Sequence, residues 1–254
     1  MKIRKIVRIM LLTLASVALL AYMAYAAVFM SGPDKSERCR EVELIVGRNS
    51  QARFFSEKEV EKLLKDARVY PKGMLMSKVN TKKLEDVLRQ NEFVEDVECY
   101  KSSNGKLCVK VDLRTPVLYI LPDGAEGYLV DAHGKLIPGG TYVTNLPVAT
   151  GNIDKKYAST KLSDFGLFLQ TDEFWNNQIE QIYVQRNKKG ESVVELVPRV
   201  GNQIIYLGSI DDYQHKLRKL KTFYQKAMGV VGWNKYAKVN LEYGSQIICT
   251  MRHD

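Results

Sequence analysis

From Ile9 to Met30 the chain runs without a charge, and only Thr13 and Ser16 add strongly polar side chains. As a helix at about 1.5 Å per residue this run is about 33 Å long, enough for a hydrocarbon core of about 30 Å. Beyond it the apolar positions take on shorter periods. Val42–Val46 reads as a strand. Ser56 and Glu59 have capping-box spacing, and Phe55 and Val60 sit at staple positions, so a helix starts there. Its apolar face is Val60, Leu63, Leu64 and Ala67. After a loop with Pro71 and Gly73, Asn80 or Thr81 opens a second helix that buries Leu84, Val87 and Leu88. Phe93–Tyr100, the turn at Asn104-Gly105 and the alternation Leu107, Val109, Val111, Leu113 then predict a hairpin. The order strand, helix, helix, strand, strand ends near Pro116, which removes a backbone donor and restricts Thr115. It can bury two helices on one face of a three-stranded sheet, as a small α+β domain.

From Val117 onward the pattern is strand-rich. The expected strands are Val117–Leu121, Tyr128–Val130, Ile179–Gln185, Ser192–Val197, Gln203–Leu207, Ala237–Leu241 and Ile247–Met251. Most are separated by turn signals such as Pro122-Asp123-Gly124, Asp131-x-His133-Gly134, Pro138-Gly139-Gly140 and Lys188-Lys189-Gly190. Two helices interrupt, Ser163–Thr171 and Asp212–Met228. The expectation is a mainly antiparallel β domain with flanking helices. The full division is a tail at 1–8, a transmembrane helix at 9–30, a linker at 31–40, the small domain at 41–116 and the β domain at 117–254.

Charge orients this arrangement. The 254 residues carry a formal +9, of which Lys2, Arg4, Lys5 and Arg8 supply four, leaving +5 for the rest. Four cations before an apolar run keep the N-terminus cytoplasmic and place the bulk of the chain outside. The remaining charge suits an anionic membrane surface but is too diffuse for a nucleic-acid footprint. Ala24-Tyr25-Ala26 resembles a signal-peptidase site, but the apolar run outlasts the ~7–15 residues of a signal core, so the reading is an uncleaved anchor. An extracytoplasmic site permits disulfides among Cys39, Cys99, Cys108 and Cys249. Cys99 and Cys108 flank Ser102–Gly105. A four-residue loop there puts them opposite one another, and a two-residue turn does not.

No catalytic constellation emerges. The three histidines are not in a zinc-protease motif, and no nucleophile elbow, dinucleotide fingerprint or phosphate loop is present. Ser103-x-x-Lys106 lies on the hairpin turn, where nothing would bury the lysine. Asp131 and His133 fit a turn better than a metal or acid–base pair, with no third ligand in sight. Lys216, Arg218, Lys219, Lys221 and Lys226 read as the solvated face of a helix.

Together these pieces resemble the bacterial cell-division family FtsQ, or DivIB. The resemblance rests on Gly73-Met74-Leu75, Phe93-Val94-x-x-Val97 and Arg114-Thr115-Pro116 in a POTRA-type unit. Leu129-Val130-Asp131-x-x-Gly134, Leu146-Pro147-x-x-x-Gly151, Tyr206-Leu207-Gly208 and Val239-Asn240-Leu241-Glu242-Tyr243 carry it through the β domain. Glu242 stands where many relatives have Arg, and Asn240 where an Asp is expected. The resemblance implies a non-enzymatic, single-pass inner-membrane scaffold at the division septum that takes no cofactor, small-molecule substrate or nucleic acid. It implies binding of the FtsB/FtsL (DivIC-like) pair in support of septal peptidoglycan synthesis, with other divisome proteins meeting the POTRA domain and membrane helix. The alternatives are an anchored envelope hydrolase with an unrecognised site, or a POTRA-bearing secretion module. The latter needs a transmembrane barrel, and the strands after Pro116 lack its repeated ~10-residue spacing.

The expected partner site is the last strand. Tyr243–Met251 is followed by three residues, and a terminal strand commonly lies at a sheet edge. Ile247–Met251 has neither charge nor Pro to blunt such an edge. It can accept a strand from another chain through its backbone groups. Ile247, Cys249 and Met251 are expected to face the core, and Ile248 and Thr250 to face out. The FtsQ resemblance points to the same segment. The candidate contact residues are Tyr243, Ser245, Ile247, Ile248, Thr250 and Met251.

Overall fold

The computed structural model describes residues 2–29, 37–47, 56–102, 104–139 and 146–252. Met30, the break at Ser31–Asp34, Phe55 of the expected staple, Ser103, Gly140 and Asp254 lie outside the described residues. Helix α1 spans Lys2–Phe29. Its side chains are described from Met10 to Ala26, and there Leu11, Leu14, Val17 and Leu20 are 60–71% exposed. Residues 10–26 reach about 26 Å against the roughly 30 Å of a hydrocarbon core. Among the described residues no helix is long and apolar enough to cross a membrane.

The chain gathers into two compact units. One comprises Met1–Ile45, Phe55–Leu88 and Val97–Lys110; the other comprises Val46–Phe54, Arg89–Asp96 and Val111–Asp254. A three-stranded sheet has the order β1 (Glu41–Val46), β3 (Lys106–Leu113), β2 (Val94–Lys101). Helix α2 (Glu57–Asp66) begins as its sequence signal requires, with the Ser56 N–H donating to Glu59 Oε2 at 2.7 Å. Helix α3 (Thr81–Arg89) is capped by Asn80, whose Oδ1 accepts from the Lys83 N–H at 3.1 Å. Both helices have strongly one-sided apolar faces, and the first unit's core is Val60, Leu64, Leu84, Leu88, Val97, Cys99, Leu107 and Val109, all buried. Cys39, placed by sequence at the end of a linker, is buried too. Its N–H donates to the Met74 carbonyl and its carbonyl accepts from the Gly73 N–H.

The hairpin register settles the cysteine pair. The Ser102 N–H donates to the Lys106 carbonyl at 2.9 Å, which sets Tyr100 rather than Cys99 against Cys108. Cys108, beside Tyr100 across the hairpin, pushes the Tyr100 phenol above its ordinary value. Successive side chains alternate faces, so the two thiols lie on opposite sides of the sheet, and the residues carry thiols rather than a disulfide.

The larger sheet has nine strands in the order β12-β11-β10-β9-β8-β7-β4-β5-β6. In chain order they are β4 (Pro116–Pro122), β5 (Tyr128–Asp131), β6 (Leu136–Pro138), β7 (Val148–Gly151), β8 (Ile179–Arg186), β9 (Ser192–Pro198), β10 (Ile204–Gly208), β11 (Tyr236–Asn240) and β12 (Ile248–Met251). The sheet is mixed. β4 pairs in parallel with β7, β7 with β8 and β10 with β11, while the other five neighbour pairs are antiparallel. Parallel neighbours need long crossovers, and helices supply two of them. Between β7 and β8 run α4 (Lys155–Tyr157), a π-helical stretch at Ala158–Leu162, α5 (Ser163–Thr171) and α6 (Glu173–Gln178). Between β10 and β11 run α7 (Tyr213–Phe223), a second π-helical stretch and α8 (Gly229–Val231). Strands β6 and β7 and helix α6 were not expected from the sequence, and the helix expected at Ser163 begins earlier, at the cap Asp154.

All these helices pack on one face of the sheet. Phe165, Leu169, Trp175, Leu217, Leu220 and Tyr224 fill the core against Leu118, Ile182, Leu196, Ile205 and Val239. The other face is open, and Leu121, Tyr183, Val197, Ile204 and Ile248 are 36–43% exposed on it. Lys238 lies across that face, 2.8 Å from Glu195 Oε1 and 4.3 Å from the centre of the Tyr206 ring.

Candidate partner-binding edge

Among the described residues β12 is an outermost strand of the nine-stranded sheet, paired with β11 alone. Its four residues lie opposite β11 with Asn240 against Ile248, Val239 against Cys249 and Lys238 against Thr250. An irregularity between Tyr236 and Lys238 then sets Tyr236 against Met251. The Arg252 N–H donates to the Lys235 carbonyl at 3.0 Å. Backbone groups alternate sides along a strand, so those of Ile248 and Thr250 also turn toward β11. Those of Cys249 and Met251 turn outward.

The expected site residues separate by environment. Ile248 and Thr250 are exposed on the open face, as expected. Ile247 and Cys249 are half-buried against the core. Met251, expected to face the core, is instead 46% exposed, beside the irregularity in β11. Tyr243 and Ser245 are exposed but lie outside the strand, which begins at Ile248 rather than at Tyr243. Burial pushes the Cys249 thiol above its ordinary value, which keeps it protonated and unreactive at neutral pH.

The stretch before β12 is a turn held from α7. Lys219 Nζ donates to the carbonyl of Tyr243 and, at 3.0 Å, to that of Gln246. The Leu241 and Gly244 carbonyls lie 3.5 Å away. The Glu242 N–H donates to Asn240 Oδ1 at 2.8 Å, which closes the end of β11. Lys216, one turn earlier on α7, donates to the Ser209 carbonyl at 2.6 Å. Burial pushes both ammonium groups below the ordinary lysine value. Lys221 stands 4.6 Å from the centre of the Phe174 ring. The expected solvated face of this helix is therefore partly built in: three of its five cations hold protein groups, while Arg218 and Lys226 are exposed. Periodicity gives no signal for this, because a lysine that reaches a carbonyl and one that reaches water occupy the same helical positions.

Asp131 is structural. Its Oδ1 accepts from the N–H groups of His133 and Lys135 at 2.9 and 2.7 Å, and its Oδ2 meets Arg114 Nη1 at 2.8 Å. Its carbonyl accepts from Ser163 Oγ at 2.7 Å. Both carboxylate oxygens are thus engaged in holding the turn and Arg114. Among the described residues, no group of three or more His, Cys, Asp or Glu side chains is placed to hold a metal ion.

A β-α-α-β-β unit followed by a mixed sheet with helices on one face defines a POTRA-bearing α+β protein, and a POTRA-like domain matches residues 37–112. The family described as FtsQ/DivIB, C-terminal related, matches residues 115–250, and the chain belongs to that family. Its domains are those of a cell-division scaffold, in a family that is septum-associated and generally non-enzymatic. No curated protein matches the chain.

Proposed function

We propose that this chain is a single-pass scaffold of the division machinery and that β12 is the edge on which it takes a partner. The observation that carries the reading is the outward backbone of Cys249 and Met251 on an outermost strand with no blunting charge. The partner is the FtsB/FtsL (DivIC-like) pair, and its capture supports septal peptidoglycan synthesis. The anchor is the apolar run Ile9–Met30. Its exposed leucines have no protein to cover them among the described residues, and hydrocarbon would cover them. The cations before it hold the N-terminus in the cytoplasm. The POTRA domain at 41–116, which with the membrane helix meets other divisome proteins, and the β domain at 117–254 lie outside.

The test uses two variants of the full chain. Met251→Pro removes an outward N–H and leaves the inward pairing of Ile248 and Thr250 intact, whereas Ile248→Pro would also break the β11–β12 hairpin. Deletion of residues 246–254 removes the edge altogether. Both should lose co-purification of the FtsB/FtsL pair while circular dichroism stays that of a folded chain. A folded deletion that still captures the pair at wild-type affinity overturns the reading.

A further inference from the structure

We propose that Lys219 is a positioning residue for the β12 edge: its ammonium fixes the turn that sets where the strand starts and which backbone groups it presents. The inference rests on the reading of β12 as the partner edge. An ammonium has three donors and no acceptor, and four carbonyls, those of Leu241, Tyr243, Gly244 and Gln246, converge on this one. All four belong to the connection between β11 and β12. Among the described residues no other side chain hydrogen-bonds those carbonyls.

The register depends on this hold. Tyr243–Gln246 is not strand, and pairing begins only at Ile248 against Asn240. A slip of one residue would exchange the two rows of side chains. It would send Cys249 to the open face, Ile248 to the core, and the outward backbone groups inward. A strand of four residues has few contacts of its own with which to resist that slip. Lys219 is carried on a helix whose Leu217 and Leu220 are fully buried, so the clamp is anchored in the domain core. Lys216 is the internal comparison. It is an equally charged, half-buried lysine on the same helix, but its partner is the Ser209 carbonyl at the far end of the crossover.

The experiment compares amide hydrogen exchange and capture of the purified FtsB/FtsL pair in the wild-type full chain, Lys219→Met and Lys216→Met. Hydrogen bonds to a charged donor are strong enough that losing them should speed exchange across residues 243–251 by about tenfold or more. Lys219→Met should show this and weaken capture. Lys216→Met, with the same loss of charge, should leave both unchanged. If Lys219→Met does not fold, Lys219→Gln, which keeps a shorter neutral donor, is read in the same way. Wild-type exchange across 243–251 in the Lys219 variant overturns the inference. So does faster exchange with capture retained, since a loosened edge would then cost the partner nothing. The reading of β12 itself is tested separately by the deletion of residues 246–254, so the two fail by different measurements.

Discussion

Asp131 shows how much of a fold can rest on one side chain. Buried to 1% exposure, it organises the β5–β6 turn through two N–H donors, engages Arg114 and accepts Ser163 through its carbonyl. Asp131→Ala would leave a mostly buried guanidinium and two turn amides unanswered, and should lower unfolding free energy by about 3 kcal/mol in denaturant titration. Asp131→Asn keeps an acceptor for the amides and should cost less. Gly134, at φ +77°, is fixed by the same turn, and a Cβ there would run into the Ser159 carbonyl oxygen. A second prediction concerns Tyr157 and Tyr224. Burial pushes both phenols up to about 12 from 10.0, and the Tyr224 hydroxyl also meets Gln203 Nε2 at 3.2 Å. Folding favours the neutral phenol in each. Their contribution is fully present below pH 10 and is lost as pH rises from 10 through 12. Thermal melts between pH 9 and 11.5 should fall steeply, and the double variant Tyr157→Phe/Tyr224→Phe should flatten that fall. Tyr157→Phe alone deletes a buried hydroxyl that has no hydrogen-bond partner among the described residues, so it should leave the melting temperature at pH 7 unchanged or higher.

At the scale of elements, helices with end signals were legible from the sequence. Ser56 with Glu59, and Asn80 before Thr81, carry cap chemistry, and the end of the helix at Thr171 was legible though its start was not. Strands long enough to show alternation or a branched apolar run were found within a residue or two, as at β2, β3, β8 and β9. What was not legible has a common cause. β6 and β7 are three and four residues long, too short for an alternation to be read from the sequence alone, although Ala149 and Gly151 of β7 are buried and Val148 and Thr150 only partly so. The cap Asp154, whose Oδ1 accepts from the Tyr157 N–H, opens a helix whose first turns carry two adjacent lysines and no clear apolar period. The candidate edge was legible in place but not in length, because contacts from α7, distant in sequence, decide where the last strand begins. Leu88 offers a test of the part that was legible. It is fully buried, as the helical period requires. Leu88→Ala should destabilise the POTRA-like unit by about 2–5 kcal/mol through lost transfer energy and a residual cavity. Hydrogen exchange confined to that unit in the full chain would register it.

For the whole molecule, the proposed topology makes the sign of charge at the N-terminus decisive. Arg4→Glu with Lys5→Glu should weaken the orientation bias, read as lower activity of a reporter fused after Asp254 that works only when exported. A mature chain beginning at Ala27 would contradict an uncleaved anchor. The mixed sheet separates two surfaces that a partner would meet in different ways. The helix-covered face is spent on the core, while the open face and its outermost strand remain accessible. The brevity of that strand sets a limit of its own. Cys249 and Met251 together offer two N–H groups and two carbonyls. At about 0.5–1.5 kcal/mol net for each hydrogen bond, four such bonds barely exceed the cost of ordering an incoming segment. On the proposed reading, strand addition here would therefore be a weak event between freely diffusing molecules. If both chains are anchored in one bilayer as proposed, the arithmetic changes, since a tether raises the effective concentration of the incoming segment. A soluble fragment of the same β domain should accordingly capture a soluble partner fragment much less well than the two membrane-held chains capture each other. In the proposed arrangement the bilayer would supply proximity, and the four-residue edge would supply the choice of partner.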